Sequence, residues 1–185
     1  MRSILITNPN DVLFFSNAYD NATNDLAGGF EYLSNAKVRA FYSNKNKFLG
    51  GYAVSTTDLN PYLRYYSFLS KADKEAILNE GYREEDCAEI TFIFFEEYAN
   101  PIQRLRILIR SLFDARAMNK KYILGGGKVT KFNNRMKRVL SNQIFEGKVL
   151  VYGKLKDFKI LCQERKYLYF KMFKAFFIEI KILFF

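Results

Sequence analysis

The chain has 185 residues, a formal net charge of +10, 2 cysteines and no histidine. The lack of histidine excludes the Ser-His and Cys-His nucleophile pairs and most mixed zinc sites, so we expect no metal. Two cysteines are too few for a disulfide framework, and we expect Cys87 and Cys162 to be inert buried thiols in apolar strands. This length is typical of one domain with a real core.

The charge is divided unevenly along this basic protein. Residues 1–100 hold 9 Lys and Arg against 14 Asp and Glu, whereas residues 101–185 hold 20 against 5. Such asymmetry favours an anionic partner for the second half, such as a nucleotide phosphate, an acidic protein, a lipid headgroup or nucleic acid. The cations are spread over several predicted elements and no nucleic-acid motif occurs, so we do not expect nucleic acid.

The first half predicts strands, short helices and one hairpin. In order, these are an apolar run over 3–7, a helix over 12–19, a polar loop over 21–29, a hairpin of 37–43 and 48–55, a strand over 62–69 and a helix from the Ser70 cap to Asn79.

The centre of the chain predicts a βαβ unit. Residues 87–95 form a continuous apolar run that is too short for a membrane span and rich in β-branched and aromatic residues, which is typical of a buried strand. Asn100 and Pro101 then open an amphipathic helix, and a second strand covers 122–124. Such a unit pairs its strands in parallel and leaves ligand sites at their carboxyl ends.

The second half ends in an aromatic segment. Before it, we expect a strand-to-helix turn at Gly125 to Gly127, a basic helix over 131–145, and a hairpin of 148–152 and 158–162. Residues 164–185 predict an aromatic amphipathic helix whose lysines are too closely spaced for a transmembrane span. Four arrangements of this segment stay open: it packs on the domain's own sheet, it forms a homodimer through 166–185, it lies on a membrane surface, or it is disordered.

This element order resembles the GNAT superfamily of N-acyltransferases, over roughly residues 3–162. The resemblance implies an α/β (α+β) fold with a mixed, mostly antiparallel sheet and helices on both faces. The GNAT-like domain would span 1–163, followed by the helix of 164–185. The family's pyrophosphate loop, R/Q-x-x-G-x-G/A, has its closest matches here at Arg104 and Arg106, and neither contains glycine. The chain is therefore identified as a divergent member of the superfamily.

The resemblance also implies a reaction. An acyl group would move from a thioester co-substrate, either acyl-CoA or an acyl carrier protein, to a small-molecule amine. The alternative is a noncatalytic binding module on the same fold. We expect a cytoplasmic protein, or one at the membrane periphery, and an acidic carrier protein as a further candidate partner.

Candidate site residues follow from the strand and the helix. By strand alternation, Glu89 and Thr91 share a face with Cys87, Ile93 and Phe95. A glutamate in mid-strand has a raised pKa that suits a general base, unless it is a hydrogen-bonded structural group. The resemblance adds Tyr152 as the general acid, and the residues implied in binding the cofactor are Ile93, Phe95, Arg104, Arg106 and Ser111.

Overall fold

Seven strands form one sheet in the order β1-β2-β3-β4-β5-β7-β6. The computed structural model describes residues 1–23, 29–128, 136–151 and 153–175. The strands are β1 Arg2–Ile6, β2 Lys37–Tyr42, β3 Phe48–Thr56, β4 Cys87–Phe95, β5 Tyr122–Lys128, β6 Asn142–Val151 and β7 Lys154–Glu164. The β4–β5 pair is parallel, and every other neighbouring pair is antiparallel. The predicted fold class and the predicted parallel pair are both confirmed.

Helices cover both faces of this sheet. They are α1 Pro9–Thr23, α2 Phe30–Asn35, α3 Arg64–Ser67, α4 Lys71–Asn79 and α5 Pro101–Arg116, and residues 168–175 form a further helix, here the C-terminal helix. Two clusters of buried side chains lie beneath α1 to α4, and a third lies beneath α5 and the C-terminal helix. The sheet is therefore apolar on both faces, as burial on both sides requires.

The start of α5 shows why this element was predictable. Asn100 Oδ1 accepts from the amide of Gln103, and the Gln103 side chain accepts from the amide of Asn100, with Pro101 in the first turn. This capping box satisfies amides that a helix start leaves without partners. Local sequence alone therefore specifies where α5 begins.

Several sequence-based predictions of secondary structure are wrong within the described residues, including the start of the loop over 21–29, since α1 continues to Thr23. The strand over 62–69 is instead the short helix α3, because backbone amides at its start donate to a distant carboxylate. The glycines at 125–127 lie inside β5 and pair with β7 rather than forming a turn. Residues 142–145 belong to β6, so the helix predicted over 131–145 does not reach Phe145.

Other predictions fall on undescribed parts of the chain. Tyr152, most of the loop over 21–29, the first part of the helix over 131–145, and residues 176–185 lie outside the described residues. In the part that the structure does describe, no helix combines the length and the apolar character needed to cross a membrane.

Candidate functional site

The two central strands separate partway along their length. Pairing between β4 and β5 runs from Cys87 with Tyr122 to Ile90 with Gly125, yet β4 continues to Phe95 and β5 to Lys128. We call this point, between Ile90 and Gly125, the fork. Beyond it, β4 presents backbone groups that do not pair with β5, and such an edge can bind an extended ligand.

A β-bulge at Phe92 turns β4 just beyond the fork. Ala53 pairs with Thr91 and Gly51 with Phe94, so β4 carries one extra residue there, and Phe92 has a positive φ of 51°. A positive φ is strained for a phenylalanine, so the surrounding structure must hold it.

This bulge corrects the predicted alternation along β4. Phe92 and Phe94 pack with α1 and α2 on one face, while Ile93 and Phe95 pack with the α5 cluster on the other. Ile93 and Phe95 therefore do not share a face with Glu89, because the extra residue reverses the alternation.

Tyr65 of α3 places its hydroxyl inside the fork. The hydroxyl oxygen lies 2.5 Å from the carbonyl oxygen of Ile90, on β4, and accepts from the amide of Gly126, on β5, at 3.0 Å. Burial, and then the Glu89 charge, raise the pKa of Tyr65, so its hydroxyl stays protonated at neutral pH. The side chain thus bridges the two strands where their own hydrogen bonding ends.

Gly126, whose amide donates to Tyr65, has no room for a side chain. A Cβ on Gly126 would lie 2.2 Å from the backbone oxygen of Lys159, which is far inside van der Waals contact. Gly126 is therefore explained by the close approach of β7 to β5.

Glu89 lies one residue before the fork and is fully buried. Its carboxylate accepts from the hydroxyl of Tyr32, from the amide of Arg64 at 2.5 Å and from the amide of Tyr65 at 3.0 Å. The carboxylate thus holds the start of α3 in place, which agrees with a structural glutamate.

Burial nevertheless dominates the titration of Glu89. Desolvation raises its pKa to about 7, although the hydrogen bonds from Tyr32 and the two amides, and the Arg64 charge, oppose that rise. The same burial, and then the Glu89 charge, raise the pKa of Tyr32. A carboxyl group that titrates near neutral pH can accept a proton, so the structural contacts are compatible with a general base.

Thr91 adds an unsatisfied hydroxyl at this position. Its Oγ1 is buried, and it has no hydrogen-bond partner among the described residues. A buried hydroxyl without a partner costs about 1 to 3 kcal/mol. Such a group, on β4 just past the fork, marks a place where a bound molecule could complete the hydrogen bonding.

A surface depression of about 380 Å³ lies over the β6–β7 hairpin and the end of β5. Its lining residues are Lys128, Glu146, Gly147, Lys148, Asp157 and Phe158. The Phe158 ring contacts the Tyr65 ring edge-on, with centroids 5.9 Å apart. The depression therefore opens on the same face of the sheet as Tyr65 and carries charges of both signs.

The residues predicted to bind the cofactor are only partly brought together. The Arg104 guanidinium lies 5.9 Å from the Phe95 ring and donates to the backbone oxygens of Ala99 at 2.7 Å and Glu97 at 2.8 Å. Arg104 therefore closes the β4–α5 loop. Its role in binding a cofactor stays a prediction.

The other two α5 residues lie further along the helix. Arg106 is exposed. Ser111 is fully buried and donates to the backbone oxygen of Leu108. At a rise of 1.5 Å per residue, Ser111 lies about 15 Å along the helix axis from the start of α5. Their assignments, like that of Tyr152 as general acid, stay predictions.

Sequence reasoning missed Tyr32 and Tyr65, the side chains that surround Glu89 and the fork. Tyr65 lies in the segment predicted as a strand, and Tyr32 in a helix that was not predicted. The adjacent Tyr65 and Tyr66 were the available signal, since both are buried on one side of α3. The amides that bind Glu89 could not be predicted from the sequence, because every non-proline residue has a backbone amide.

No cluster of possible metal ligands occurs among the described residues. Burial raises the pKa of the Cys87 thiol to about 12 and raises that of Cys162 as well, so both thiols stay protonated at neutral pH.

A seven-stranded, mostly antiparallel sheet that forks between β4 and β5 is the fold of the GNAT acyltransferases, and this chain has that fold. The chain is similar to FeeM, an N-acyl amino acid synthase from uncultured soil microbes, with a TM-score of 0.65 and 13% identity, covering 90% of this chain and 96% of that one.

Two further solved structures show the same likeness. An acetyltransferase of Bacillus subtilis in complex with CoA gives a TM-score of 0.56 at 12% identity, covering 88% of this chain and 97% of that one. A protein of Desulfovibrio desulfuricans, assigned to the GNAT acetyltransferases, gives 0.56 at 9%, covering 89% and 98%. No family model and no curated protein matches the sequence. The resemblance to GNAT proteins is thus confirmed at the level of the fold.

Proposed function

We propose that this chain is an acyltransferase that moves an acyl group from a thioester to an amine. The observation that carries the proposal is the position of Glu89, which is fully buried and lies one residue from the fork; this burial raises its pKa to about 7. A base with a pKa near the operating pH combines a useful deprotonated fraction with a useful proton affinity.

The fork supplies the place for the thioester. We propose that the acyl donor lies along the edge of β4 beyond Ile90, where the strand does not pair with β5. Backbone N–H groups of that edge would polarise the thioester carbonyl, and holding both reactants there would supply much of the rate. The Thr91 hydroxyl, which has no partner among the described residues, is a further donor at this place.

The chemical step needs two proton transfers. The amine nitrogen attacks the thioester carbon, the carbon–sulfur bond breaks, and the sulfur leaves as a thiolate. The amine proton passes to Glu89 through the Tyr32 hydroxyl, which is hydrogen-bonded to Oε1. The Tyr65 hydroxyl, which lies in the fork, donates a hydrogen bond to the leaving thiolate, and Tyr152 is the candidate general acid that protonates it. Glu89 then releases its proton to solvent, and the general acid regains one from solvent.

The start of α5 favours an acyl donor whose binding does not depend mainly on the diphosphate of CoA. Pro101 has no amide hydrogen, the Gln103 amide is bonded to Asn100, and the preceding loop contains Glu96 and Glu97. These features weaken the anion site that a helix start can form. We therefore propose an acyl carrier protein or a long-chain acyl-CoA as the donor, with the acyl chain and the pantetheine arm supplying most of the binding.

An amino acid is the acceptor class that fits best. The depression over the β6–β7 hairpin, whose Phe158 contacts the Tyr65 ring, has lysine and carboxylate groups on its lining, which suits a zwitterion. The likeness to FeeM, an N-acyl amino acid synthase, supports the same class.

Mass spectrometry of the purified protein tests the proposal. We expect copurified CoA or acyl thioester, a rise in melting temperature with thioesters of longer chains, and an N-acyl product when amino acids are added. Free CoA and the matching fatty acid are the controls, because neither carries a reactive thioester. A noncatalytic binding module is the rival: it would retain a ligand but give no product with any donor or acceptor.

A further inference from the structure

The C-terminal helix has two apolar faces. Leu168 and Ala175 are buried and Met172 packs partly against the core, so one face lies on the domain. On the other side, Phe170 is 69% and Phe173 65% exposed. A helix that is apolar on both sides is normally covered on both sides.

The exposed side continues onto α5. The rings of Phe113 and Tyr169 lie 5.6 Å apart, and the Arg116 guanidinium lies 4.0 Å from the Tyr169 ring. Here the basic aromatic face means the surface formed by Arg106, Arg110, Phe113, Lys166, Tyr167, Tyr169, Phe170, Phe173 and Lys174. Contiguous exposed aromatic rings of this kind mark an interaction site.

The charge of the basic aromatic face indicates which kind of partner binds there. Residues 101–116 and 164–175 together contain eight Lys and Arg against two carboxylates: Asp114, which is buried beside Arg110, and Glu164, which pairs with Lys166 at 2.8 Å. A symmetric contact with a second copy would set these cations against each other, and the two carboxylates are too few to neutralise eight cations. An anionic surface, in contrast, would neutralise the cations and receive the rings.

We propose that the basic aromatic face binds the surface of an anionic lipid bilayer. Phe170 and Phe173 would enter the boundary between headgroups and acyl chains, while Lys166 and Lys174 contact the headgroups. Each lysine near an anionic membrane adds appreciably to binding, and this part of the attraction is weakened by salt. The proposal does not depend on the acyltransferase function.

Vesicle flotation of the full chain tests it. We expect binding to vesicles of three parts phosphatidylcholine and one part phosphatidylglycerol, and at least about tenfold weaker binding to phosphatidylcholine alone. Phe170→Ser with Phe173→Ser should weaken binding at least about tenfold, because both rings lose their apolar contact. The matched control, Leu150→Ser with Leu155→Ser, removes two side chains that are each 64% exposed on another part of the surface, and should bind as the wild type does.

A second pair of variants tests the charge. Lys166→Glu with Lys174→Glu should weaken binding at least about tenfold, while Lys45→Glu with Lys71→Glu, an equal charge change at exposed positions elsewhere, should have a much smaller effect. Equal binding by the phenylalanine variant and its control overturns the proposal.

Three other results also overturn it. In the first, the full chain does not float and the phenylalanine variant turns a dimer into a monomer, which would make a second copy the occupant. In the second, the chain does not float but binds an acidic acyl carrier protein through the same residues. In the third, the chain is a monomer that does not float and the phenylalanine variant lowers its melting temperature, which would mean that the segment over 176–185 covers the face.

Discussion

The hydroxyl of Tyr65 lies 2.5 Å from the carbonyl oxygen of Ile90, the last β4 residue that pairs with β5. The same hydroxyl accepts from the amide of Gly126 across the fork. One side chain thus replaces the hydrogen bonding between strands at the position where the strands separate. In the proposed mechanism, the thioester lies next to this hydroxyl.

Tyr65→Phe is predicted to destabilise the protein by about 1 to 3 kcal/mol, because buried backbone groups of Ile90 and Gly126 lose a partner. Tyr66→Phe is the matched control, since its hydroxyl donates to one partly buried oxygen, of Tyr82, at 2.9 Å. Urea unfolding should give the larger loss for Tyr65→Phe. Equal losses would show that the fork contact contributes nothing particular.

Gly126→Ala is predicted to cost about 2 kcal/mol or more, because the new Cβ would meet the backbone oxygen of Lys159 and force β5 and β7 apart. Gly147→Ala is the comparison, since its Cβ would meet the end of the Phe145 ring at 3.0 Å, and a side chain can move. Thermal melting of both variants checks the difference. The account fails here if Gly147→Ala is the more damaging change.

Where local sequence determines the structure, prediction succeeds. The strand over 87–95 and the α5 start at Asn100 were predicted because an apolar run, an asparagine cap and a proline act over a few residues. The helix α3 was missed because its start is held by Glu89, more than twenty positions further along the chain. Its four residues carry too little periodicity to indicate a helix.

The site was predicted less completely than the fold. Glu89 could be singled out because a carboxylate in an apolar strand is costly. The bulge at Phe92 could not be predicted, because phenylalanine does not favour a positive φ and contacts with the rest of the fold set this conformation. The faces assigned to Ile93 and Phe95 were therefore wrong.

Glu89 predicts how stability changes with pH. Its pKa is about 7 in the folded protein and near the ordinary 4.5 when unfolded, so between these values the folded state binds more protons. The stability that this group contributes is therefore present at low pH and is lost as pH rises toward 7.

A Glu89→Gln variant checks this pH dependence. The free energy of unfolding of the wild type, relative to the variant, should fall by roughly 2 to 3 kcal/mol between pH 5 and pH 8. Urea unfolding across this range gives the difference directly. A difference that stays constant with pH would mean that Glu89 titrates at its ordinary value.

Asp114 is predicted to behave in the opposite way. Its carboxylate accepts from Arg39 Nε at 2.7 Å and from the Tyr52 hydroxyl at 2.8 Å, and Lys37 and Arg110 lie within 3.7 Å. Burial alone would raise its pKa, but the Arg39 and Tyr52 hydrogen bonds and the nearby cations outweigh it and lower the pKa, so this contribution is lost as pH falls.

Asp114→Asn should cost about 3 to 5 kcal/mol, because it leaves the Arg39 charge buried without its partner. Glu75→Gln removes the carboxylate of the Lys71 ion pair, whose side chains are 93% and 62% exposed, and should cost less than about 0.5 kcal/mol. Chemical denaturation of both variants at neutral pH makes the comparison. Similar small losses would show that the Asp114 network does not stabilise the fold.

The most direct test of the central claim is the rate of N-acyl product formation as a function of pH, for the wild type and Glu89→Gln with the same acyl thioester and amino acid. The matched control is Glu84→Gln, since Glu84 also accepts from a backbone amide, of Leu63, at 3.2 Å. We predict that kcat/KM for the wild type and the control rises through an apparent pKa near 7, and that Glu89→Gln lowers it about 100-fold or more while thioester binding is retained. Product formation by Glu89→Gln at the wild-type rate, or none by any of the three proteins, would contradict the account.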